Sequence, residues 1–248
     1  MALGGRDPNA AIRLLGQAGP LDGVELLVLE DGAGDPALVA RAADALHHYP
    51  GAGALMVAQA PVDRAEVSLE AQRRCGGAHI LFMAPDAPPA SVGFIAAWRR
   101  CVMTNDPAVA FGGLALPDAE GSPERRIRIL AHGLARYGEA DDRAASAEPC
   151  LAPFNLLVRR DLLATAPSLP VVASDDFDAW AGWARAGGLI RHLDNPVSCI
   201  PAEAVRTATK APSSWLAALA GVEGTPHVVR RAALKLMARA GAASSDHA

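Results

Sequence analysis

The sequence predicts an α/β domain with a mainly parallel central sheet flanked by helices, and three observations carry that expectation. Helical and strand periodicities alternate along the chain instead of clustering into two regimes. The strand candidates are short runs of apolar, often branched residues, as expected of a sheet covered on both faces. Hydrophobic residues make up 51% of 248, enough for one substantial core, which excludes a mainly disordered chain.

Residues 8–18 read as a first helix with Pro8 at its start, and VELLVL (24–29) as the strand that follows. That strand runs into the turn EDGAGDP. Residues 36–48 form a second helix, with Leu38, Val39, Ala42 and Leu46 at helical spacing, and the chain returns as a strand near 51–58. A charged helix over 66–74 stops at Gly76-Gly77, and HILFM (79–83) is a strand ending in APDAPP. Then come a helix over 91–103, a strand over 108–115, an arginine-rich helix over 122–137 and a polar loop over 138–149. A strand over 154–158 leads to a short helix beginning at 160–163. SDDFDAWAGWARA (174–186) is a helix closed by Gly187-Gly188, and residues 189–193 are a last short strand. No internal repeat is visible. The expected division is one domain over 1–203 and a C-terminal helical extension with a polar tail over 204–248.

Charge and cysteine usage narrow the partners. Twenty-three basic against 27 acidic residues leave a formal charge of −4, which offers no field for a phosphate backbone, so nucleic acid is not expected. Cys75, Cys101, Cys150 and Cys199 lie far apart without a CxxC pair and read as reduced thiols. MALGGRDPNAAIRLL lacks the basic-then-apolar order of a secretory leader, and no uncharged apolar run approaches the roughly 18 residues of a spanning helix. A cytoplasmic protein is expected, at most peripheral at the inner face of the membrane. The segment PHVVRRAALKLMARAG sets Arg230, Arg231, Lys235 and Arg239 among Val228, Leu234, Leu236 and Met237; such a helix can lie on anionic lipid or pack back on its own domain.

The chemistry-bearing residues stand at strand ends. In open α/β sheets ligands bind outside the carboxyl ends of the strands, where Glu30, Asp31 and Asp86 fall. Asp175, Asp176 and Asp178 open a helix, whose dipole favours carboxylates. Read locally, these acids are equally an N-cap and solvated side chains.

The order EDGAGD, GGAHILFMAPDAPP, FNLLVRRDLL, SDDFDAWAGWARAGG resembles the family 2 glycosyltransferases over roughly residues 8–200. The resemblance implies a single GT-A-like (Rossmann-like) domain that moves a sugar from a nucleotide diphosphate donor to a hydroxyl acceptor (a glycan, a lipid or a small molecule), with inversion. It implies that Glu30 and Asp31, in the first turn, bind the nucleotide base. Asp86, in a degenerate DxD that reads Ala84-Pro85-Asp86, would hold a magnesium or manganese ion on the diphosphate. Asn155–Arg160 would match the acceptor-side segment. Asp175 or Asp176 would be the base that takes the acceptor's proton. That chemistry is physically coherent, because a cation on hard carboxylate oxygens offsets charge on a departing diphosphate and a second carboxylate activates the hydroxyl.

This chain departs from the family pattern at three places. Ala84 replaces the leading acid of the DxD, so the metal is expected to bind together with the nucleotide, and restoring an acid at 84 is expected to strengthen it. The chain opens at the first helix, so the N-terminus looks truncated and no ordinary first central strand is expected in residues 1–7. VSCIP (197–201) lacks the family's late histidine, and His192 reads as a strand-surface residue. Two other readings stand beside the enzyme: a non-catalytic binding module of the same fold, and an S-adenosylmethionine-dependent methyltransferase suggested by VLEDGAGDP. Trp180 and Trp183, three apart on one helix, read as core packing first and as sugar-stacking rings second.

Overall fold

The computed structural model describes residues 7–30, 35–57, 73–115, 139–146, 150–152, 154–165 and 175–198. Helix α1 (Asn9–Gln17) leads to β1 (Glu25–Glu30), and α2 (Pro36–His47) carries the chain to β2 (Ala52–Val57), parallel to β1 with Glu25 opposite Ala52. Local chemistry explains the first two helices. α1 buries Ala11, Ile12 and Leu15 on one stripe. α2 starts where the Asp35 carboxylate accepts from the backbone N–H of Ala37 at 2.9 Å, and Pro36 sits in the first turn, where its missing N–H costs nothing.

The second half is built on β3 (His79–Phe82), α3 (Phe94–Asn105), β4 (Val109–Phe111), β5 (Leu114–Ala115), α4 (Ala140–Ala145), β6 (Leu156–Arg159), α5 (Arg160–Thr165), α6 (Asp175–Ala186), β7 (Ile190–His192) and β8 (Val197–Ser198). β3, β6, β4 and β7 form a sheet in that order. β6 runs antiparallel to both neighbours, β4 and β7 are parallel, and β5 and β8 add a short parallel pair. Among the described residues three of the five strand pairings are thus parallel, in a mixed α/β fold. Val109–Phe111 and Leu156–Val158 are buried throughout, which marks them as the strands covered on both faces.

The structure revises several expected elements. The strand over 108–115 is broken into β4 and β5, because Gly113 has φ +83° and cannot continue an extended chain. The loop over 138–149 contains helix α4, held by tertiary contacts: the Asp194 carboxylate accepts from the N–H of Ala140 at 2.6 Å, and Arg143 reaches the Leu193 carbonyl at 2.8 Å. The strand at 189–193 is not the last, since β8 follows it. Of the helix over 66–74 only Arg73 and Arg74 are described, and both are helical. Residues 1–6, the turn 31–34, the helix over 122–137 and the extension 204–248 lie outside the described residues. Among the described residues no helix is long and apolar enough to cross a membrane.

A buried asparagine ties the strand ends together. Asn155, with φ +54°, precedes β6, and its Nδ2 donates to the carbonyls of Gly113 (2.8 Å) and Asn195 (2.9 Å). Asn195 in turn donates to the Phe94 carbonyl at 2.9 Å, at the start of α3. A Cβ on Gly112 would lie 2.5 Å from Asn155 Nδ2, so no side chain fits there. Asn155→Ala would remove a donor from the Asn195 carbonyl and leave the Gly113 carbonyl with the Val197 N–H at 3.4 Å, and is expected to cost about 1–3 kcal/mol of unfolding free energy in urea titrations. An unchanged midpoint would show that the network is dispensable.

Candidate functional site

The candidate acids stand at the end of β1, in the turn after β3 and at the start of α6. β1 and β3 begin side by side, since a Glu25 carboxylate oxygen accepts from the Gly76 N–H at 3.4 Å, and both line one cavity as far as Leu29 and Met83. Their carboxyl ends therefore share one side of the molecule. α6 is joined to β7 by only Gly187–Leu189, packs Phe177, Trp180, Ala181 and Ala184 inward and opens with Asp175.

The candidate acids differ in setting. Glu30, the last residue of β1, is 3% exposed, so it is built into the wall and does not stand open to a ligand. Asp31 lies outside the described residues; Asp35, at the far end of the same turn, is spent on capping α2. Asp86 is exposed in the turn after β3, where the N–H of Ala87 returns to the Ala84 carbonyl at 3.2 Å. Pro85 and Ala87 are buried, and Ala84 is 9% exposed within the core cluster. Asp175 and Asp176 begin α6; of their side chains nothing is described.

The position of the absent DxD acid is thus a packed one. Restoring it would put a carboxylate among core groups, at a folding cost that the sequence alone did not reveal. Among the described residues no three His, Cys, Asp or Glu side chains gather as a metal site. The exposed carboxylate of Asp86 is of the kind that suits a hard divalent cation taking its other oxygens from a diphosphate and water.

His192 is corrected from a surface residue to part of the wall. It lies in β7, half-buried, edge-on to Phe111 at 6.3 Å, with Nδ1 buried and without a partner among the described residues. Burial first, then the charges of Arg143 and Arg185, push its pKa down to about 4, so the ring is neutral at pH 7. Trp180 is core, stacked on Phe177 at 6.1 Å, while Trp183 stands 38% exposed. His47 and His48 are exposed at the end of α2, and Cys101 and Cys150 are buried free thiols. The brace residues Asn195 and Arg143 escaped the sequence reading. Asn195-Pro196 was the one local signal, a turn dipeptide.

No family model and no curated protein matches this sequence. Solved structures do match the fold. Mannosyltransferase PcManGT from Pyrobaculum calidifontis, in complex with GDP-Man and Mn2+, superposes with a TM-score of 0.58 at 15% identity, covering 98% of this chain and 74% of that one. S. aureus TarS 1-349 in complex with UDP-GlcNAc gives 0.53 at 11%, covering 93% and 68%. Glucosyl-3-phosphoglycerate synthase from Mycobacterium tuberculosis, in complex with Mn2+ and UDP-Glc, gives 0.53 at 16%, covering 84% and 74%. These likenesses establish the GT-A fold of the chain.

Two measurements test the environments described here. His192 binds a proton near pH 6.5 when unfolded but near 4 when folded, so the unfolded chain takes up more protons between them and stability falls as pH drops from about 6.5 to about 4. His192→Gln is expected to flatten that part of the urea-stability profile; an unchanged slope would mean the ring is solvated. Ala84→Asp is expected to lower stability by about 1–3 kcal/mol at pH 7, and by less at pH 4, where the carboxyl can be neutral. An equal loss relative to the unaltered chain at both pH values would place residue 84 in water.

Proposed function

We propose that this chain transfers a sugar from a nucleotide diphosphate donor to a hydroxyl acceptor at the carboxyl edge of its sheet, with inversion at the anomeric carbon. The observation that supports the reading is exposed Asp86 in the turn after β3, on the side of a GT-A fold where β1 also ends. The structural neighbours solved with GDP-Man, UDP-GlcNAc and UDP-Glc support it.

In this proposal Asp31 contacts the nucleotide base, with buried Glu30 fixing the start of its turn. Asp86 holds magnesium or manganese against the diphosphate; when bound, the cation supplies compensation for the charge of the leaving group. Asp175 or Asp176 takes the acceptor's proton, and the α6 N-terminus favours the ionised carboxylate that the task needs. The acceptor is a glycan, a lipid or a small molecule. We place the reaction in the cytoplasm, with the C-terminal basic segment on anionic lipid.

A second reading has its own observation: burial of Ala84 shows that the core has packed where an acid would stand, as suits a non-catalytic nucleotide-sugar-binding module. Calorimetry with GDP and UDP, with and without Mn2+ or Mg2+, addresses both. Metal and nucleotide are expected to strengthen each other's binding by the same factor, about 10-fold or more. Asp86→Ala should abolish that coupling. No nucleotide binding under any condition, or heat released only by S-adenosylmethionine, would refute the proposal.

Activity separates the enzyme from the module. If a nucleotide sugar that binds is also consumed, Asp175→Asn or Asp176→Asn should lower kcat about 10²–10⁴-fold with donor affinity retained. Full activity in both variants would remove the base from this helix.

A further inference from the structure

A cavity of about 340 Å³ lies where α4 packs against β7, with Arg185, near the end of α6, on its wall. Neither Glu30 nor Asp86 is among its described lining residues. Those residues bring together three guanidinium groups, Arg143, Arg185 and Arg191, against the single carboxylate of Asp141. The neighbouring acids are Asp142, on the same helix, and Asp194, which pairs with Arg143 at 3.6 Å and accepts from the Ala140 N–H. Arg185 donates to the Ser146 carbonyl, which anchors its head and leaves further N–H donors of the fork for a ligand. Arg191 is exposed and has neither an ion pair nor a hydrogen bond among the described residues. His192 lines the same cavity. Burial first, then the charges of Arg143 and Arg185, hold its pKa at about 4, so positive charge reaches the ring uncancelled by the three acids.

We propose that this cavity is a phosphoryl-binding site, in which Arg185 and Arg191 grip the phosphate oxygens and Arg143 adds its charge from the wall. The chemistry points to this ligand. Planar guanidinium forks match the oxygens of phosphate and carboxylate, two N–H groups to two oxygens. Three such groups against one carboxylate leave an excess that a dianion offsets better than a single carboxylate does, and a phosphomonoester carries nearly two negative charges at pH 7. A space of about 340 Å³ is at the small end of ligand sites yet exceeds what a phosphate alone fills, so it admits a small organic group attached to the phosphate. The site stands apart from the sugar-transfer reading, because it uses none of the acids of that reading and needs no cation.

Calorimetry on the full chain at pH 7 with inorganic phosphate, glycerol phosphate and acetate tests the proposal, with EDTA present so that no metal-held phosphate at Asp86 contributes. Both phosphates are expected to bind saturably and more tightly than acetate. In NMR spectra the His192 ring resonances should move along the same saturation curve, while those of His47 and His48, exposed on and beside α2, stay in place. Arg185→Ala and Arg191→Ala alter exposed side chains and should each weaken phosphate binding about tenfold or more. Arg100→Ala, exposed on α3, should leave it unchanged. Tighter binding of glycerol phosphate assigns the site to a phosphomonoester and tighter binding of inorganic phosphate to the free ion, and either result supports the site. Four results overturn it: no saturable binding of either phosphate, acetate bound as tightly as phosphate, affinity unchanged in both cavity variants or lowered as much by Arg100→Ala, or a His192 signal that does not respond. If a cavity variant does not fold, the His192 response of the unaltered chain decides alone.

Discussion

The architecture depends on one reversed strand. β3, β4 and β7 run the same way, but β3 and β4 are registered only through β6, which runs against both. A central strand with no freedom to slip is therefore needed, since a one-residue shift would exchange the two packed faces that Leu156–Val158 fill. Asn155 supplies the stop. At φ +54° it ends the preceding loop, and its amide grips the carbonyls on which β4 and β8 turn. Each hydrogen bond contributes only about 1 kcal/mol net, while a buried carbonyl left unpaired costs more, so the network fixes position more than it adds stability.

That brace decides the layout of the edge that carries the acids. Asn195 links the approach to β8 with the start of α3, and α3 follows directly from the turn of Asp86. Arg143 adds a second tie: it is buried, donates to Leu193, pairs with Asp194 at 3.6 Å and lies over Phe111 at 5.5 Å. Burial lowers its pKa and Asp194 raises it, the balance expected of a cation kept in the wall by one exposed partner. The space beside Gly113 is filled by this guanidinium, which a Cβ there would meet at 2.5 Å. The break between β4 and β5 and the helix α4 are thus two sides of one contact.

This explains which parts were legible in the sequence. VELLVL, HILFM and the Asp35-Pro36 helix start are signals complete within a few residues, and the structure has them within a residue or so. The break at Gly113, helix α4 and strand β8 depend on partners tens of residues away, so no local period records them. The acids were legible only as positions. Strand-end logic found the exposed Asp86, but it did not separate that residue from Glu30, which has the same kind of address and is buried. Whether a carboxylate at a strand end meets solvent is set by the neighbouring layer, and that information is tertiary.

The turn after β3 shows how packing and charge constrain each other at such an edge. Ala84, Pro85 and Ala87 are buried, leaving Asp86 as the one group in Ala84–Ala87 that faces water. Two carboxylates there would repel each other when no cation is present, and one of them would also lack hydration. With alanine at 84 the turn closes over the core and carries only a single acidic side chain. A diphosphate brings oxygens and charge of its own, so a cation at this edge gains most of its ligands only when the nucleotide arrives. In the proposed reaction, packing that strengthens the turn would therefore weaken metal binding in the absence of nucleotide and tie the two binding events together.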